Sequence, residues 1–137
     1  QKFVIGKADM ISEGTDVTIF ATGHLVWKAI EAGRVLAEKG ISAEIINIHT
    51  IKPLDETAVL NSVRKTKCVV TAEEHMMNGG LGDSIAQLLA RKLPTPIEMV
   101  AVNDTFGQSG KAEELLTKYN VNTPNILAAV EKVISRK

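Results

Sequence analysis

A single cysteine, Cys68, is all the chain holds, so no internal disulfide can form. A reducing, cytoplasmic setting is therefore the default expectation. Aromatic residues make up only 4%, which leaves Val, Ile, Leu, Ala and Met to build the core. No apolar run approaches the ~20 residues of a membrane span, and no basic stretch followed by an apolar one marks a signal peptide. Charge of one sign is not in excess either. Sixteen basic residues balance sixteen acidic ones, so nothing draws the chain electrostatically towards nucleic acid or an anionic membrane. Internal repeats, low-complexity segments and linkers are absent. At 137 residues, 1–137 reads as one domain, able to bury roughly two thirds of its unfolded surface. Because the chain starts at Gln1 and not at Met, it reads as a fragment of a longer chain.

What is present alternates between strand-like and helix-like segments, the pattern of an α/β class. Asp16–Thr22 (DVTIFAT) is apolar on both faces, as in a buried parallel strand. Residues 25–39 switch to helical period, with Val26, Ala29, Ile30, Gly33 and Leu36 inward and Lys28, Glu31, Arg34 and Glu38 in water. Gly40 suits the residue just past that helix. Ala43–Ile48 is the next strand, and Asp55 is placed to cap a helix running to Arg64. Lys67–Ala72 is a strand, the glycines at 79–82 lead into a helix with Leu81, Ile85, Leu88 and Leu89 buried, and Ile97–Val102 is a further strand. Two short helices close the chain, one capped by Ser109 and one starting at Thr123-Pro124. Phe3–Ile5 and Lys7–Ile11 are weaker strand candidates, with Glu13-Gly14-Thr15 as the turn after them.

Chemistry-bearing motifs are few. Gly79, Gly80 and Gly82 follow a strand and open a helix, a place where free N–H groups favour an anion. The third glycine of a dinucleotide fingerprint would fall at Ile85, so the preferred reading is a tight turn and close helix packing. Gly110-Lys111 resembles the end of a P-loop, but Thr105 stands where the first glycine belongs and Ala112 where the magnesium ligand belongs. Lys111 is a solvated charge or a counter to an external anion. Glu73, Glu74 and His75 end a strand, at the carboxyl edge where open α/β sheets bind ligands. His24 and His49 also follow strands, and a structural role for each histidine is the preferred reading. Cys68 reads as buried and inert, and Met76 and Met77 as space-filling.

Taken in order, these pieces resemble a known family. TIKPLDE at 50–56, VVTAEEHMMNGGLGDSIAQLL at 69–89 and NDTFGQSGKAEELL at 103–116 are similar to segments of the C-terminal domain of transketolases. The resemblance implies a three-layer α/β/α domain with a mixed five-stranded sheet, its first strand antiparallel to the rest and falling near Lys7–Ile11. It implies a parent enzyme that moves two-carbon ketol units between sugar phosphates, as in pentose phosphate metabolism. In that family thiamine diphosphate and Mg lie between two other domains, one binding the diphosphate and one the pyrimidine ring. The metal motif is not matched, since Gly82-Asp83-Ser84 departs from it. No catalytic, cofactor-binding or metal residue is therefore carried over, and the isolated chain is expected to be inactive. Its implied role is architectural: packing on the pyrimidine domain and supporting a homodimer. An anion or regulatory site at the carboxyl edge would use Gly80, Gly82 and either His75 or Lys111. The alternatives are the same domain of a 2-oxoacid dehydrogenase E1 β subunit or of deoxyxylulose-phosphate synthase, and a free-standing nucleotide- or flavin-binding α/β module.

Overall fold

The computed structural model describes residues 7–74, 80–102 and 112–137, with backbone alone for 102 and 112–122. The strand candidate Phe3–Ile5, the residues His75, Met76, Met77, Gly79, Ser109 and Lys111, and the whole 103–116 motif lie outside the described side chains. The elements run β1 (Asp9–Ser12), β2 (Val17–Ala21), α1 (Leu25–Glu38), β3 (Ala43–Asn47), α2 (Glu56–Thr66), β4 (Val69–Glu74), α3 (Leu81–Lys92), β5 (Ile97–Val102) and α4 (Ala112–Ser135).

The five strands form one sheet in the order β1-β3-β2-β4-β5. β2 sits at its centre, parallel to β3 and β4, and β5 continues parallel beyond β4. β1 alone is antiparallel, pairing Asp9 with Asn47 and Met10 with Ile46. The mixed five-stranded sheet and its antiparallel first strand are thus as expected.

Strand alternation decides what each face meets. Val17, Ile19 and Ala21 point into a core shared with Leu25, Ala29 and Leu36 of α1 and Ile126, Val130 and Val133 of α4. Phe20 points the other way, into a core with Val59 and Val63 of α2 and Leu81, Ile85, Leu88 and Leu89 of α3. Each fully buried Leu, Ile or Phe is worth about 1.5–3 kcal/mol in removal from water, so this double-sided burial is what holds three layers together. Both sheet edges are blunted against further strands. On β5, Arg136 donates to the Ile97 carbonyl at 2.9 Å. On β1, the register shifts between Met10 and Ser12.

Local signals hold at two helix ends. The Asp55 carboxylate accepts the Ala58 N–H at 3.2 Å, capping α2, and with its other oxygen accepts the Ala8 N–H at 2.9 Å. One residue of the TIKPLD stretch thereby fastens the approach to β1 onto the start of α2. Gly40, at φ +79, occupies the left-handed position just past α1.

Two expectations need correction. Lys28 is buried, 8% exposed, and not in water. α1 packs on both the sheet and α4, and Glu31, one turn from Lys28, accepts the Thr123 hydroxyl at 3.0 Å. The chain also ends in one helix, α4, with Pro124 inside it, and not in two short ones. Proline there leaves the carbonyl of residue 120 without its helical donor. Packing on α1 and the sheet through Ile126, Val130 and Val133 outweighs that local cost.

Candidate functional site

Parallel strands β2, β3 and β4 deliver their carboxyl ends to one edge of the sheet. From β2 the chain leaves through α1 to β3 on one side, and from β4 through α3 to β5 on the other. Between neighbours β2 and β4 the connections diverge, which is the topological switch point where sheets of this class bind ligands. His24, just past β2 and at the start of α1, meets Glu74, the last residue of β4. His24 Nε2 lies 3.0 Å from Glu74 Oε1, and both side chains are partly exposed. Gly23 between them and β2 has φ +56, so a side chain there would be strained.

Glu73 points to the opposite face and does something sequence reading missed. Its two carboxylate oxygens accept the backbone N–H groups of Leu81 at 3.0 Å and Gly82 at 2.7 Å. Those are first-turn amides of α3, which have no partner within the helix. A buried carboxylate of the chain itself, 6% exposed, therefore fills the place an external anion would take. Of the four residues expected at an anion site, Gly80 is the N-cap of α3 and Gly82 lies in its first turn, while His75 and Lys111 lie outside the described residues. An anion at this helix start would have to compete with Glu73. Gly82 suits the close approach: a Cβ on it would lie 2.7 Å from Met99 Sδ and 3.0 Å from Glu73 Oε2, so both side chains would have to shift. Gly80 has a negative φ of −93 and uses no left-handed freedom.

The two described histidines, His24 and His49, have different carboxylate partners. His49 Nε2 lies 3.4 Å from Asp9 Oδ2, an approach that ties β1 to the end of β3. His24 belongs with Glu74. Among the described residues, no group of three His, Cys, Asp or Glu is arranged to hold a metal ion. At the described start of α3 the Leu81 and Gly82 amides are already taken by Glu73 and Asp83 stands exposed, so these residues do not fit a thiamine diphosphate with its metal. Cys68 is enclosed, with Sγ 3.3 Å from the Asp16 carbonyl. Burial pushes its thiol up, Lys137 opposes this, and Asp16 adds to the rise, so the nucleophilic thiolate is disfavoured.

A second buried polar cluster lies at the opposite, amino edge of the sheet. Glu44, beside Ala43 and Ile45 in β3, is 1% exposed. Its Oε1 accepts the Gly14 N–H at 3.0 Å and Lys65 Nζ at 2.5 Å. Nearby, Thr18 shares its hydroxyl with Ser62 at 2.7 Å and Thr66 at 2.6 Å. Burial pushes the Glu44 carboxyl up, but hydrogen bonds from Lys65, Ser62 and Gly14 outweigh it and hold it below its ordinary value. A carboxyl depressed by folding contributes stability above its unfolded value, and that contribution is lost as pH falls through the folded value. The stability gap between wild type and Glu44→Gln, measured by urea unfolding, is thus expected to be widest near neutrality and to narrow in acid. A gap that stays constant into acid would refute this role for the charge.

No helix among the described residues is long and apolar enough to cross a membrane. Residues 6–126 match the family described as transketolase, C-terminal domain. The chain is 45% identical over 136 residues to the 6-deoxy-6-sulfo-D-fructose transketolase subunit SqwH of Clostridium sp. strain MSTE9, covering 99% of this chain and 42% of that protein. It is 41% identical to a putative transketolase C-terminal section of Methanocaldococcus jannaschii, covering 98% of this chain and 42% of that protein. It is 38% identical to 1-deoxy-D-xylulose-5-phosphate synthase 1 of Geobacter sulfurreducens, covering 97% of this chain and 21% of that protein. Among solved structures, a split gene transketolase described as an inactive beta4 tetramer superposes with a TM-score of 0.85 at 40% identity, covering 98% of this chain and 44% of that one. The chain thus spans less than half the length of these relatives, and it belongs to the transketolase C-terminal domain family.

Proposed function

We propose that this chain is the non-catalytic C-terminal domain of a larger transketolase-type enzyme. The whole enzyme transfers two-carbon ketol units between sugar phosphates in the cytoplasm, with thiamine diphosphate and Mg held by its diphosphate-binding and pyrimidine-binding domains. Residues 1–137 act as a single domain that packs on the pyrimidine domain and supports self-association of the parent. The observation that carries this reading is the near-complete alignment of the chain with less than half of a transketolase subunit, at 45% identity. The internal occupation of the α3 amides by Glu73 supports a structural role over a phosphate-binding one. Similarity to a split transketolase described as a beta4 tetramer supports self-association. A deoxyxylulose-phosphate synthase parent is the second reading, favoured by the 38% identity to that enzyme.

Thermal unfolding with thiamine diphosphate and Mg²⁺ tests the assignment. A ligand at 100 times its dissociation constant stabilises a fold by about 2.7 kcal/mol. No shift of the midpoint is expected for this chain, and no ketol transfer. A clear shift would place the cofactor here and overturn the non-catalytic reading.

A further inference from the structure

We propose that the face formed by α1 and β1 is a self-association surface, on which a second copy of this chain lays its own α1 antiparallel. This rests on the self-association proposed above and names the surface that carries it.

Among the described residues, Ile11 of β1, which lines the groove beside α1, and Trp27 of α1 are exposed large hydrophobic side chains. Trp27 is 72% exposed. It begins a stripe along α1 continued by Ile30, Arg34 and Ala37 at helical spacing, so these residues share one side of the helix. Beside that stripe runs an open groove of about 490 Å³, lined by Ile11, Ile30, Gly33, Ala37 and Ile41 among others. Its depth has a sequence cause. Gly33 lets α1 approach the sheet so closely that a Cβ would lie 2.8 Å from Ile45 Cδ1.

The occupant follows from the shape and charge of this face. A two-fold contact must be self-complementary, with the same surface supplying knob and hole. This face has both: a projecting indole at one end of the stripe and a groove along the rest of it. Trp27 and Ala37 are ten residues apart, or about 15 Å of helix. Antiparallel crossing near the midpoint therefore brings each Trp27 to the other copy's Ala37 end of the groove. Glu13 and Arg34 also line the groove, one charge of each sign, and the chain has no net charge to repel its copy. Strand addition at the β1 edge is a poorer mode, because the register shift between Met10 and Ser12 interrupts a regular ladder.

Trp27 is the only tryptophan, so its fluorescence reports this face directly. Sedimentation velocity across a dilution series is expected to show reversible association of the wild-type chain. Trp27 emission should shift to the red and become quenchable by iodide as the complex dissociates. Trp27→Glu and, separately, Ala37→Glu are expected to weaken association at least about 30-fold, as removal of a central aromatic anchor does. Both positions are exposed in the single chain, so the thermal midpoint of dilute variant should match dilute wild type, which separates lost association from lost folding. If the wild type associates while both variants associate equally well and Trp27 stays quenchable throughout, this face is wrong and self-association stands. If the wild type remains monomeric at every concentration, self-association itself falls and this face with it.

Discussion

Replacing Gly14 by alanine is expected to destabilise the domain by about 3 kcal/mol or more, at the upper end of single-substitution effects, where overpacking of a buried site belongs. Gly14 is buried between β1 and β2, and a Cβ on it would sit 2.3 Å from the Ala43 carbonyl carbon and 2.5 Å from the Glu44 nitrogen. Those atoms are backbone at the start of β3, so no side-chain rotation relieves the contact. Moving the turn away would also stretch the Gly14 N–H from Glu44, at 3.0 Å, and weaken the buried cluster that holds Lys65. For a domain of this size a loss of 3 kcal/mol lowers the midpoint by roughly 10 °C. Gly40→Ala is the comparison. There φ is +79 but nothing lies within 4 Å of the added carbon, so only left-handed strain is incurred, roughly 1 kcal/mol. Thermal or urea unfolding of the two variants side by side checks the argument. Equal losses would mean that the Gly14 contact relaxes at little cost.

Gly14 also illustrates what the sequence conveyed and what it withheld. Its place in a turn before the first buried strand could be read from Glu13-Gly14-Thr15. The pressure of Ala43 against it could not, because that contact joins segments almost thirty residues apart. The same division runs through the fold. Continuous apolar runs such as VTIFA announce strands buried on both faces, and Asp55 and Gly40 announce helix ends, because those signals are local. Lys28 and Pro124 were misread because their local preferences lose to packing. A lysine on the polar side of an isolated α1 is buried in the folded domain. A proline that would start a helix in isolation is carried inside one whose other face is buried.

The candidate site was half legible for the same reason. That Glu73, Glu74 and His24 come to the carboxyl edge follows from strand order alone. Which carboxylate does what depends on the pleat, since Glu73 and Glu74 point to opposite faces of β4. One reaches His24 across the switch point and the other turns back to α3. Glu44 carried a usable signal that went unread. A glutamate within a strand buried on both faces needs a cation, and Lys65 on the following helix supplies it.

The second large effect is expected from Glu73→Ala. The change strips a buried acceptor from the N–H groups of Leu81 and Gly82 and leaves two donors with their full desolvation cost. It also removes a negative charge from the positive end of the α3 dipole. Together these point to a loss of about 3 kcal/mol. The space left behind sits over free amides at a helix start, so the variant should gain the anion site that the wild type fills by itself. Phosphate is expected to restore part of the lost stability of Glu73→Ala, and a salt of equal ionic strength without an oxyanion should not. Phosphate also stabilises folded proteins generally by exclusion from their surface. The quantity to measure is therefore the shift in the variant minus the shift in wild type, across a phosphate titration. A saturating difference identifies binding at the vacated carboxylate position. Equal shifts in both proteins would show that the α3 start does not take anions even when freed, and that Glu73 serves only to tie the end of β4 to the helix after it.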